Sequence, residues 1–175
     1  PDFKGKAKAL QARGGQLVVI DPRRTETAAI ADAHHFIRPG ADVFLLAAMV
    51  HTLFDEGLVT LGRVADWVTG VDEVRTAIAV FTPEAVAARC GMEANTIRAL
   101  ARQLARTPRA AVYARIGTCT QEYGTLASWL VDVLNTLTGH LDMEGGMLFA
   151  KSAAFASNTA GKPGVGKGVS TGRHH

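Results

Sequence analysis

The sequence predicts an α/β fold, a small and mostly parallel sheet flanked by helices. Three observations point to it. Leu17-Val18-Val19-Ile20 is an apolar run rich in β-branched residues, the pattern of a strand buried on both faces. Two further short strand candidates, His34–Arg38 and Ala110–Ala114, are separated from it and from each other by helix-forming sequence. The stretch from Val43 to Glu56 is apolar nearly all round, as befits a helix enclosed by other elements.

The elements follow in order. Residues 1–16 are Lys-rich and helix-permissive, and Gly14-Gly15 reads as a C-cap turn feeding the first strand. That strand stops at Asp21-Pro22, because proline has no N–H for a ladder. Glu26–Ala33 is a short helical stretch, and Pro39-Gly40 ends the second strand. Asp42 is placed to N-cap the apolar helix.

A helical insertion is expected over about residues 60–107. Leu61, Val64, Ala65 and Val68 form an apolar stripe at helical spacing. Thr82-Pro83-Glu84 is an N-cap, a first-turn proline and an early acid. Gly91 interrupts, and a helix from about Glu93 to Arg106 carries Ile97, Leu100, Ala101 and Leu104 on one face and Arg98, Arg102 and Arg106 on another. After the third strand, Arg115–Thr118 reads as a loop. Gly124–Leu137 reads as a helix with Trp129, Leu130, Val133 and Leu137 facing the core. Residues 1–150 thus read as one domain. From Lys151 the composition shifts to Gly, Ser, Ala and Lys, and 151–175 reads as a loop or disordered tail.

Composition narrows the function. The chain has 175 residues, 47% of them hydrophobic and 20% charged, enough to build a sizeable core. A net charge of +3 suits a phosphate-bearing ligand and is low for a nucleic-acid binder. Cys90 and Cys119 stand far apart, with neither metal-site nor iron–sulfur spacing, so a reducing cytoplasmic setting is the expectation. No apolar run approaches the roughly 18 residues of a membrane span.

Three loops carry the candidate chemistry. In a doubly wound sheet, ligands bind beyond the carboxyl ends of the strands. Asp21–Arg24 follows the first strand, Gly40–Asp42 the second and Arg115–Gln121 the third, so parallel strands bring all three to one edge. Asp21 can accept from ribose or guanine, and Arg23 and Arg24 can meet phosphate oxygens. Gly40 and Gly117 permit close backbone approach. Asp42 can accept from the amino and ring N–H groups of guanine, and Gln121 both donates and accepts.

Other motifs weigh less. Ala87, Gly91 and Ile97 have helix-turn-helix spacing, and the arginine stripe could face phosphate, but any helical hairpin with a glycine turn looks the same. Gly161–Gly168 imitates a P-loop, yet Gly168 stands where Ser or Thr should be, and no strand precedes it. His51 and His140 have no neighbouring triad pattern.

Four segments, read together, resemble the molybdopterin oxidoreductase family, the formate dehydrogenase and nitrate reductase group. They are VVIDPRRTETAAIAD (18–32), IRPGADVFLLAAMVHTLFDEGLV (37–59), FTPEAVAARCGMEANTIRALARQLA (81–105) and ARIGTCTQEYGTLASWLVDVLNTLTGHLDMEGG (114–146). Ala114 departs from the Gly that many members carry there. The resemblance implies a dinucleotide-binding-like domain that holds the guanosine diphosphate end of a molybdopterin guanine dinucleotide, with molybdenum or tungsten in the parent enzyme. It implies that Ile20, Asp21, Pro22, Arg23 and Arg24 line the nucleotide and that Gly40, Ala41 and Asp42 cradle guanine. It puts Ile116, Gly117 and Gln121 on the pterin–pyrophosphate side. In the family the metal-ligating residue and the cluster-binding cysteines lie N-terminal to this region, so the resemblance implies an iron–sulfur cluster in the parent enzyme and the expectation that this chain has no turnover by itself. The implied partners are the remaining domains of the parent and an electron-transfer subunit. A helix-turn-helix nucleic-acid module and a subunit-docking scaffold built on the apolar 43–56 helix stand as alternative readings.

Overall fold

The computed structural model describes residues 2–149, so the tail, the P-loop imitation at Gly161–Gly168 and the terminal His174-His175 lie outside the described residues. Helix α1 (Phe3–Ala12) starts where the Asp2 carboxylate accepts from the Gly5 N–H at 2.7 Å. It ends at Gly14, whose φ of +81° closes the turn the sequence predicts there. Strand β1 (Val18–Ile20) runs parallel to β2 (Ala33–His35), with Val18 opposite Ala33 and Ile20 opposite His35. Between them lies α2 (Glu26–Ile30), capped by the Thr25 hydroxyl. Asp32 clamps the start of the ladder. Its Oδ2 accepts from the Leu17 N–H at 2.7 Å and from Gln11 Nε2 at 3.1 Å, and these bonds hold the carboxyl below its ordinary range.

The second strand spans Ala33–His35 in place of the expected His34–Arg38, starting one residue earlier and ending three sooner. The ladder ends with the Asp21 N–H donating to the His35 carbonyl, because Pro22 offers no further donor. The chain then turns away, and the Arg38 N–H donates to the Cys90 carbonyl at 2.9 Å.

Helix α3 (Asp42–Asp55) is the apolar helix, buried along almost its whole length from Val43 to Leu53. The N-cap assignment needs correction. Ala41 occupies the cap without a side-chain bond, and Asp42 is the first helical residue, its carboxylate still favoured by the helix dipole. Around α3 pack α4 (Val71–Ile78), α5 (Pro83–Cys90), α6 (Ala94–Arg106) and α8 (Gly124–Leu137). Thr82 caps α5 as expected, and Gly91, with φ +69°, closes it. The 61–68 stripe forms a 3-10 turn over Gly62–Trp67, in which Val64 is buried and Ala65 exposed. Of the stripe on α6, Arg98 is paired with Glu84 and Arg102 with Glu56.

Two further expectations are corrected. Residues 110–115 form no strand. In place of a ladder, the carboxamide of buried Asn135 accepts from the Val112 N–H and donates to the Val112 carbonyl, both at 2.9 Å. The stretch beyond it is not an open loop but a single helical turn, α7 (Ile116–Cys119). On α8 the buried face is Ala127, Leu130, Val131, Leu134 and Leu137, with Val133 at its margin. Trp129 lies about 200° round the helix from Ala127 and is 45% exposed.

Candidate functional site

The first loop lies directly beyond β1, whereas the second, Gly40–Asp42, follows the turn at Arg38 and leads into α3. Ile20, the last residue of β1, is half-buried. Asp21 folds back on its own turn, Oδ1 accepting from the Arg23 N–H at 2.8 Å, and its carbonyl faces His34 Nε2 at 3.0 Å. This turn leaves Pro22, Arg23 and Arg24 exposed, and neither arginine has an ion pair among the described residues. Gly40 is exposed with φ +81°, and a side chain there would meet nothing within 4 Å. Ala41 is buried, and Asp42 is half-buried.

With no third strand at 110–114, the third loop is not brought to the edge of the β1–β2 pair; it meets the second loop through one side chain. Gln121 Nε2 donates to Asp42 Oδ2 at 2.8 Å and also to the Gly117 carbonyl. The structure therefore joins Asp42, Gly117 and Gln121 in one hydrogen-bonded group. No bond among the described residues ties that group to Asp21–Arg24. Gly117 is exposed and open, and Ile116 is 74% exposed.

Three residues at this site escaped the sequence reading. The Arg89 guanidinium of α5 lies over the Phe44 ring, 4.4 Å from its centroid. The Tyr123 ring meets Phe44 edge-on at 6.3 Å. Gly124 lets α8 begin hard against α7, since a Cβ there would collide with the Cys119 carbonyl. Arg89 and Tyr123 carry no local motif, and only the packing of α5 and α8 on α3 brings them in. Cys90 sits beneath the Gly40–Asp42 turn, its Sγ 3.8 Å from the Ala41 carbonyl. Burial first, then the Asp42 carboxylate, push its thiol up to about 11, with Arg89 opposing.

The donor set fits a nucleotide. It offers two carboxylates, of Asp21 and Asp42, each with one oxygen unbonded among the described residues, two guanidinium groups with no ion pair there and two glycines with room at the backbone. The site is an open edge. Two concavities, of about 520 Å³ at Asp72, Glu73 and Thr76 and about 330 Å³ at Trp67, Asp132 and Met147, include none of these residues. Among the described residues, no group of three or more His, Cys, Asp or Glu is placed to hold a metal ion, and no helix is long and apolar enough to cross a membrane.

Comparison with known proteins places the chain. It is 32% identical over 154 residues to the molybdopterin-containing subunit of thiosulfate reductase from Salmonella typhimurium, a match covering 87% of this chain and 20% of that protein. It is 35% identical over 128 residues to formate dehydrogenase H from Escherichia coli, covering 73% of this chain and 18% of that one. The chain belongs to the molybdopterin oxidoreductase family. Its fold agrees. Acetylene hydratase from Pelobacter acetylenicus superposes with a TM-score of 0.72 at 29% identity, over 78% of this chain and 19% of that one. No family model matches. This family member spans about a fifth of the length of these relatives, and the family's cofactor is a molybdopterin.

Proposed function

We propose that this chain holds the guanosine diphosphate end of a molybdopterin guanine dinucleotide within a larger molybdopterin-dependent oxidoreductase. One observation carries the reading. The first-turn carboxylate of α3, Asp42, is held by Gln121 beside the open backbones of Gly40 and Gly117. In this reading Asp42 accepts from guanine, while Asp21 and the Ile20–Pro22 backbone line the ribose. Arg23 and Arg24 meet the diphosphate, and Ile116 and Gly117 border it. The cofactor, when bound, supplies the molybdenum or tungsten centre at which redox chemistry occurs. The protein supplies position and charge. The remaining domains of the larger enzyme and an electron-transfer subunit complete the assembly.

Titration of the chain with GDP and ADP, at two salt concentrations, tests this. GDP is expected to bind more tightly than ADP, and Asp42→Ala to weaken GDP binding while leaving the thermal midpoint within a few degrees. Equal affinity for GDP and ADP, or an Asp42→Ala variant that binds as wild type, overturns the guanine assignment. Salt-sensitive binding of duplex DNA without nucleotide binding would favour the helix-turn-helix alternative. The pairing of Arg98 and Arg102 with glutamates weighs against it.

A further inference from the structure

We infer that Gln121 is a base-selectivity residue whose carbonyl oxygen, locked as an acceptor beside Asp42, receives the 2-amino group of guanine. This rests on the nucleotide reading of the same site and moves Gln121 from the diphosphate side to the base.

The inference comes from counting hydrogens. The Gln121 carboxamide has two N–H donors and one carbonyl acceptor. Both donors are engaged, one by Asp42 Oδ2 at 2.8 Å and the other by the Gly117 carbonyl. A carboxylate and a backbone carbonyl can only accept, so flipping the amide would set oxygen against oxygen at both contacts. The amide orientation is therefore fixed by chemistry. What remains unbonded among the described residues is Gln121 Oε1 and Asp42 Oδ1, two acceptors on side chains that are hydrogen-bonded to each other. The pair offers no donor to a ligand.

That polarity selects a base. On its pairing edge guanine presents two adjacent donors, the ring N1–H and the 2-amino group. Adenine presents an amino donor beside a ring nitrogen lone pair, and cytosine does the same. Uracil presents a single N–H between two carbonyl oxygens. Each of these sets at least one lone pair against an acceptor. Hypoxanthine keeps the N1–H and lacks the amino group. The charged Asp42 oxygen takes the more acidic N1–H, which leaves the 2-amino group to Gln121 Oε1. A site built to bond a substrate N–H discriminates strongly against the analogue without it, because its own polar group is then left unpaired.

The test is a cycle between one protein group and one ligand group. The full chain is titrated calorimetrically with GDP and IDP, wild type against Gln121→Met, which keeps length and removes the amide. Wild type is expected to prefer GDP over IDP by about three- to tenfold, the usual net effect of one hydrogen bond at a half-buried group. Gln121→Met is expected to bring that ratio to about one, chiefly by weakening GDP, with IDP affinity changing by less than about threefold. Gln121→Asn, one methylene too short, gives a second variant with the same expected loss if the first fails to fold. A wild-type ratio near one overturns the inference while leaving GDP binding itself intact. A ratio that survives both substitutions also overturns it. Absence of GDP binding to the wild-type chain overturns the nucleotide reading and this inference together.

Discussion

Replacing Asn135 by Leu removes the group that stands in for a neighbouring strand. Its side chain is fully buried and makes three hydrogen bonds, two to the Val112 backbone at 2.9 Å and one to the Val131 carbonyl at 2.8 Å. Leu has nearly the same volume, so packing changes little. The Val131 carbonyl keeps its helical partner. Val112 loses both of its bonds and, being half-buried, recovers only part of their value from water. At about 1 kcal/mol per bond plus a fraction of the desolvation penalty, the loss is about 2–4 kcal/mol. For a domain of this size, that lowers the thermal midpoint by about 5–15 °C. Asn135→Asp is expected to be worse. A carboxylate can still accept from the Val112 N–H, but it faces the Val112 and Val131 carbonyls with no donor and carries an unpaired buried charge. Urea unfolding followed by the fluorescence of Trp67 and Trp129 measures both variants, and an unchanged m-value licenses the comparison. If Asn135→Leu unfolds within about 0.5 kcal/mol of wild type, a value typical of surface changes, or if Asn135→Asp is the more stable of the two, then the carboxamide is not what anchors residues 110–115.

Three further outcomes are expected. Buried Cys90, its thiol pushed up to about 11, should resist a disulfide reagent at pH 8 until denaturant is added, whereas exposed Cys119 reacts at once; two fast thiols in the native chain would contradict this. The hydrogen bonds from Arg102 hold the Glu56 carboxyl below its ordinary 4.5, so the pair's contribution is complete above that pH and is lost as pH falls through the lower folded value; Arg102→Gln should flatten the acid side of the urea-midpoint profile, and an unaltered profile would sink the assignment. Gly124→Ala drives a methyl into the Cys119 carbonyl, so it should cost about 1–3 kcal/mol in thermal unfolding and weaken GDP binding by shifting α7, with a normal melt as the refuting result.

Features with local signatures were legible in the sequence. The apolar run of α3, the Thr82-Pro83 cap and the β-branched strand before Asp21-Pro22 each carry their physics within a few residues. Features whose partners are remote were not. The 110–114 run has strand composition, but its pairing partner is a side chain 23 positions on, and no local pattern distinguishes an amide from a ladder. Trp129 reads as a core residue by its apolar bulk, yet the spacing of Ala127, Leu130, Leu134 and Leu137 turns it away from the buried face. At the candidate site, Asp21 does follow a strand end, whereas Gly40 and Asp42 lie past the turn at Arg38, five or more residues beyond the end of β2. The bond between Gln121 and Asp42 spans 79 positions and is visible only once α7 and α3 are in place. The arginines of α6 read as a stripe, but their glutamate partners lie on α5 and at the end of α3.

Asp42 opens the helix that α4, α5, α6 and α8 all touch. An acceptor mounted on a surface loop can fray while the rest of a protein stays intact. One mounted on the central helix is anchored by the turns behind it, and the amide protons within Leu45–Leu53 are expected to exchange only when the surrounding helices separate. The position of Asp42 is thereby tied to the core, and under the proposed function a substitution deep among Leu45, Val50 or Leu53 would be felt there as a change in affinity.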